Sequence, residues 1–187
     1  DQAVQLTTSR MVKDIQKTIR SNFFTFLGTG SGTATGVGIQ AAIADTWGKL
    51  QTLFEDSSMD SVYFLNPQDV ADYLGKAQIT TQNTFGLSYI ENFLGMGTVF
   101  LNSDVPKGKL YATAKENIIL YYIPVNGAGL SNVFDFYSDE LGYIGIHETP
   151  DYTNLTASDV MISGIELLAE RTDGIVVGTI TAAAAAG

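Results

Sequence analysis

The segment Leu27–Gly38, LGTGSGTATGVG, constrains the chain more than any other. It places Gly28, Gly30, Gly32, Gly36 and Gly38 between two amphipathic helical patterns. Before it, Val12, Ile15, Ile19, Phe23 and Phe26 recur at three- and four-residue steps, the rhythm of a helix with one apolar stripe. After it, Ile39, Ile43, Trp47, Leu50 and Phe54 repeat that rhythm. Glycines in such a place invite a phosphate-loop reading, and the details reject it. No Lys followed by Ser or Thr is present to reach phosphate and magnesium. A dinucleotide fingerprint would follow a strand, whereas this segment follows a helix and Gly28-Thr29-Gly30 breaks at Thr33. The segment therefore reads as a flexible connector between two structural units.

Charge narrows the choice of partners. The chain has 187 residues, 45% of them hydrophobic and only 16% charged, below the roughly 25% of ordinary globular chains. A surface with few charges must be polar and neutral or covered by neighbours, as in a subunit of an assembly. The net charge of −10 argues against general binding of polyanions. Four basic residues nevertheless share one rhythm on the first helix: Arg10, Lys13, Lys17 and Arg20. They read as a solvated face or as a contact with an acidic neighbour or packaged nucleic acid. With no cysteine, disulfides, thiol nucleophiles and Cys-based zinc sites are excluded. No apolar run approaches the roughly 18 residues of a membrane span, and no signal peptide is visible. A first residue Asp1 rather than Met reads as a processed or truncated product.

Further along, Val62–Leu65 reads as a buried strand, followed by a helix with Asn66 as N-cap and Pro67 at its first position. Residues 84–125 read as strands and turns, with Asn102-Ser103-Asp104 and Pro106-Lys107-Gly108 as the turn signals and 118–123 as a near-continuous apolar strand. Tyr143–His147 and the long run Asn154–Arg171 read as strands. Asp173-Gly174 then reads as a tight hairpin leading into Ile175–Ile180. The alanine-rich end, 182–186, reads as a frayed terminus.

The search for catalytic chemistry comes back empty. His147 is the single histidine, and neither a triad nor a zinc site is offered near it; Glu148 and Asp151 beside it read as turn carboxylates. Asp135 with Asp139 and Glu140, or Glu166 with Glu170, have spacings that twenty acids produce by chance, and an i,i+4 pair on one strand is two pleats apart. Gly30-Ser31-Gly32 lacks the spacing of a nucleophile elbow. The expectation is a protein that is not an enzyme, with no metal and no cofactor.

Four pieces in order resemble one family. They are Asp14–Leu27 with the glycine segment and Val37-Gly38-Ile39-Gln40; Phe64-Leu65-Asn66-Pro67-Gln68-Asp69; Leu94-Gly95-Met96-Gly97-Thr98-Val99 with Asp104-Val105-Pro106-Lys107-Gly108; and Leu167-Leu168-Ala169-Glu170-Arg171. Together they resemble tailed-phage major capsid proteins of the Hong Kong 97-type fold, lacking the N-terminal arm and extended loop. The resemblance implies an α+β fold with two intertwined subdomains. A peripheral one, with the spine helix and long β-strands, would take 1–35 and 138–172; an axial one, with a mixed sheet and flanking helices, would take 36–137 and 173–187. It implies a structural subunit that self-assembles into pentamers and hexamers of an icosahedral shell around double-stranded DNA, with portal and scaffolding proteins as further partners. Assembly would take place in the bacterial host cytoplasm, with the virion capsid as final location and no membrane partner. Capsomer-axis contacts would fall on the loops at Gln82 and Asn83 and at Asn126, Gly127, Gly129 and Asn132. Inter-subunit or DNA-facing contacts would fall on the basic stripe. The Lys–Asn crosslink that some members form is not expected, because the Asn and Glu positions fall on Ile162 and Ala169. The alternative reading is a secreted or surface-exposed β-rich carbohydrate-binding module, for which nine tyrosines and one tryptophan would supply stacking surfaces.

Overall fold

The computed structural model describes residues 2–55, 60–77, 81–84, 87–125, 137–138 and 142–182. The chain divides into two compact units, each built from separate stretches: 1–23 with 120–168, and 24–119 with 169–187.

The larger unit is organised by a short strand, β2 (Ser61–Leu65), buried along its whole length. An uninterrupted apolar run of β-branched and aromatic residues suits a strand covered on both faces. Tyr63 and Leu65 enter a core with Ala34, Ala42, Ile43, Leu50, Val70, Ile90, Phe93, Val99, Leu101, Leu110, Ala112 and Val176. Burial pushes the Tyr63 hydroxyl up to about 12. Phe64 faces the other way, edge-on to Phe24 at 5.6 Å and stacked on Phe100 at 5.7 Å.

Around β2 lie β1 (Gly32–Val37), β3 (Gln82–Thr84), β4 (Leu87–Ile90), β5 (Thr98–Leu101), β6 (Lys109–Ala114) and β12 (Ile175–Thr181). They form a mixed sheet in the order β1-β12-β6-β2-β5-β4-β3. The pairs β1/β12 and β2/β5 are parallel and the others antiparallel. Helix α2 (Gly38–Leu53) buries Ala42, Ile43, Thr46 and Leu50, an i, i+1, i+4, i+8 set on one face. Helix α3 (Pro67–Ala77) adds Val70 to the same core, with Tyr73 edge-on to Phe93. The start of α3 follows the expected chemistry. Asn66 Oδ1 accepts the Gln68 N–H at 2.9 Å, while its Nδ2 donates to the Val105 carbonyl at 2.7 Å. One side chain thus caps the helix and fastens the loop before β6. Asp69 holds that loop a second time, accepting the Gly108 N–H at 2.7 Å.

The smaller unit contains most of helix α1 (Gln2–Leu27) and the strands β8 (Tyr137–Ser138), β9 (Gly145–Asp151) and β10 (Thr156–Ile162), which pair antiparallel in the order β10-β9-β8. Among its described residues Val125, Ile144, Gly145 and Ile146 are buried. Strands β7 (Ile118–Tyr122) and β11 (Ile165–Ala169) form a two-stranded ladder through which the chain passes between units.

Three sequence expectations need correction. The glycine segment is half strand: residues 32–37 pair in parallel with Val176–Thr181. Gly30, Gly32 and Gly36 serve close approach; a Cβ on Gly36 would lie 2.1 Å from the Ala42 backbone nitrogen. Asp173-Gly174 does not close a hairpin: β11 pairs with β7, while β12 inserts between β1 and β6. The run 154–171 is two strands, β10 and β11, broken at Ser163-Gly164. The apolar strand expected at 118–123 is β7, and its Leu120, Tyr121 and Tyr122 are exposed.

The packing of Gly36 generates a test. Gly36→Ala forces backbone against backbone, so it should destabilise by about 1–3 kcal/mol or more. Gly48→Ala in α2, where an added Cβ meets nothing within 4 Å, should stabilise by about 0.5–1 kcal/mol through helix propensity. Denaturant midpoints of the two variants check both signs.

Candidate assembly surfaces

Repeated association needs exposed, well-formed patches, so the candidate site is sought on the surface. On α1 the apolar stripe Val12, Ile15, Ile19, Phe23 and Phe26 is half-buried, and Phe24 and Leu27 are buried. Arg10, Lys13 and Lys17 lie on the exposed side and Arg20 is half-buried. Steps of three, four and three residues bring all four onto one helical face. The helix is tied within its own unit by Thr8, whose Oγ1 donates to Asp159 Oδ2 at 2.9 Å.

The expected axis loops fare differently. Gln82 and Asn83 belong to a strand rather than a loop: β3 pairs with β4, Gln82 opposite Tyr89. The Tyr89 hydroxyl donates to Gln82 Oε1 at 2.8 Å. Both residues are exposed at the edge of the sheet. Asn126, Gly127, Gly129 and Asn132 lie outside the described residues.

The β9–β10 turn is a surface that patterning alone did not single out. Tyr152 is 83% exposed and Leu155 is 91% exposed. Asp151 organises the turn: its Oδ1 accepts the Thr153 and Asn154 N–H groups, and its Oδ2 accepts the Asn154 amide at 2.8 Å. Leu155 sits at φ 52°, a left-handed conformation that bulky side chains seldom adopt. A fixed turn thus holds two large apolar side chains in water. The exposure of its flanks depends on tertiary context. Leu120–Ile123 form a second exposed apolar stretch, with Tyr122 edge-on to Tyr143 at 4.8 Å. Contiguous apolar exposure of this kind marks interaction surfaces.

Of the candidates weighed for chemistry, Asp135, Asp139 and Glu140 lie outside the described residues. His147, in β9 opposite Val160, has its Nε2 3.1 Å from Thr149 Oγ1. Glu166 lies in β11 and Glu170 just beyond it, both exposed. Among the described residues no cluster of His, Asp and Glu could hold a metal ion. The nearby Arg171 is structural: its Nε and Nη2 grip Asp173 at 3.1 and 2.9 Å, its Nη1 reaches the Leu53 carbonyl, and its plane lies over Phe54. The Asp173 carboxyl is held below its ordinary value, chiefly by the Arg171 hydrogen bond.

Asp151 supplies a pH test. Its carboxyl is held below the ordinary value by Asn154 first, then by the Thr153 and Asn154 N–H groups. A depressed folded-state value means that the turn's stabilisation is fully present above the ordinary carboxylate range. It is lost as pH falls through the folded value. The Thr153 and Asn154 amide resonances should therefore move together with a midpoint below that range. Asp151→Ala should place them at the acid-state positions already at pH 7. Amide positions that ignore both changes would remove Asp151 as the organiser.

No protein-family model and no curated protein matches the sequence. Solved structures do match the fold. The chain aligns with a virus-like particle from Pyrococcus furiosus at a TM-score of 0.52 and 14% identity, over 86% of this chain and 60% of that one. It aligns with a structure from Mycobacterium phage Che8 at 0.54 and 10% identity, over 91% and 61%. The chain thus spans about three-fifths of the length of these two structures. Its central mixed sheet with flanking helices is a phage major capsid-like fold of the α+β class.

Proposed function

We propose that the chain is a structural shell subunit, the major capsid protein of a tailed bacteriophage or prophage. It self-assembles into pentamers and hexamers of an icosahedral shell enclosing double-stranded DNA. The observation that carries this reading is the fold shared with a structure described as a virus-like particle. Two features of the chain support it: the low charged fraction and the exposed apolar groups at Leu120–Ile123, Tyr152 and Leu155. Association through many weak contacts suits such patches, because closed symmetry multiplies each of them. In this reading the protein is not an enzyme and forms no Lys–Asn crosslink. Portal and scaffolding proteins are its further partners, and packaged DNA is touched without sequence preference. It assembles in the host cytoplasm and ends in the virion.

Electron microscopy of the full-length gene product, expressed with its neighbouring genes, tests the reading. Closed shells containing DNA are expected. Empty shells would keep the shell role and remove the phage one. Small monodisperse particles that bind sugars saturably would favour the carbohydrate-directed module.

The basic stripe is proposed as the inter-subunit or DNA-facing surface. Replacing the exposed Arg10, Lys13 and Lys17 by Glu in the full-length protein should lower particle yield or DNA content by about tenfold or more, the scale expected when several charge contacts are reversed. Unchanged yield and DNA content would sink that assignment.

A further inference from the structure

Strand β1 lies at the end of the seven-stranded sheet, where an unpaired edge invites a strand from another molecule. Its own sequence offers no defence. Gly-Thr-Ala-Thr-Gly-Val carries no charge and no proline, and its outward residues Thr33, Thr35 and Val37 are all exposed. The opposite edge is protected by brevity, since β3 has three residues. The six-residue β1 needs some other device.

Helix α2 supplies one. The Lys49 ammonium donates to the Thr33 carbonyl, and the Thr35 N–H donates to Asp45 Oδ2 at 3.0 Å. Lys49 Nζ and Asp45 Oδ2 are themselves 3.4 Å apart, one helical turn from each other. An incoming strand would present a donor to one outward group and an acceptor to the other. The ion pair presents the same two functions in the same order, so it takes the place of a neighbouring strand, which the described residues do not supply.

We infer that the Asp45–Lys49 pair is a guard that keeps the β1 edge from pairing with β1 of a second copy of this chain. A second β1 is the occupant that fits best: an uncharged, small-residue strand has nothing to repel its own copy, and two such edges are self-complementary when antiparallel. The inference does not depend on the shell reading. Within a shell its consequence is that copies meet through their dedicated patches and not through sheet edges.

The absence of cysteine makes the test clean, because one introduced thiol reports only on itself. Thr35→Cys places that reporter at the centre of the edge. It is compared alone, with Asp45→Ala/Lys49→Ala, and with Asp45→Asn, all dilute and under mild oxidation. The double variant should give at least tenfold more disulfide-linked dimer than the reporter alone. Asp45→Asn, whose amide oxygen can still accept the Thr35 N–H, should stay near the reporter. Equal dimer in all three chains would overturn the guard, as would association of the double variant without disulfide, which would place the contact elsewhere. Should the double variant fail to fold, amide exchange decides: the Thr35 N–H should exchange at least tenfold faster in Asp45→Ala than in the unaltered chain, and an unchanged rate would overturn the proposal.

Discussion

The larger unit depends on a strand of five residues having no solvent on either side. Because β2 is covered on both faces, every neighbour is fixed by it: β5 and β6 by hydrogen bonds along its two edges, the helical layer by Tyr63 and Leu65, and the last turn of α1 by the contact of Phe24 with Phe64. A large aromatic ring at position 64 is what gives the far side a surface to pack on. Polar substitution there would leave Phe24 and Phe100 without their partner and a polar group without water. The helices and outer strands are in this sense secondary to a short apolar run.

How much of this was legible follows from how local each signal is. The two helices and the Asn66-Pro67 cap are settled within a few residues, although Trp47 of the second stripe is exposed and Ala42 and Thr46 are buried in its stead. Asp173-Gly174 is a turn signal in the same way, but the partners of the strands around it lie far away in sequence. A turn residue says that the chain bends, not which strand it meets next. The glycine segment misled for another reason. Glycine is permissive and it is also small, and at Gly36 smallness decides, because the backbone of α2 occupies the space a methyl group would take. Nothing within the segment distinguishes the two uses.

The surface candidates divide along the same line. The basic stripe on α1 was readable because helical periodicity alone brings its residues together. Gln82 and Asn83 were placed in a loop because a three-residue strand carries too little pattern to be seen. The exposed tip at Tyr152 and Leu155 escaped notice, since large apolar residues in a strand-rich region are ordinarily assigned to a core. Only tertiary context reveals which apolar residues a fold leaves uncovered.

The division of the chain into two interleaved units bears on its synthesis. Residues 1–23 are translated before any of the larger unit, yet the stretch they share a unit with, 120–168, is made only after most of that unit. At ordinary rates of translation the first helix waits on the order of ten seconds for its partners. Until then its half-apolar face has only the nascent chain or a chaperone against which to shield itself. The larger unit waits too, because β12, which joins β1 to β6, is translated only after the whole stretch 120–168. The smaller unit cannot be completed before residue 168 is made nor the larger one before β12, and no single cut can release one unit whole.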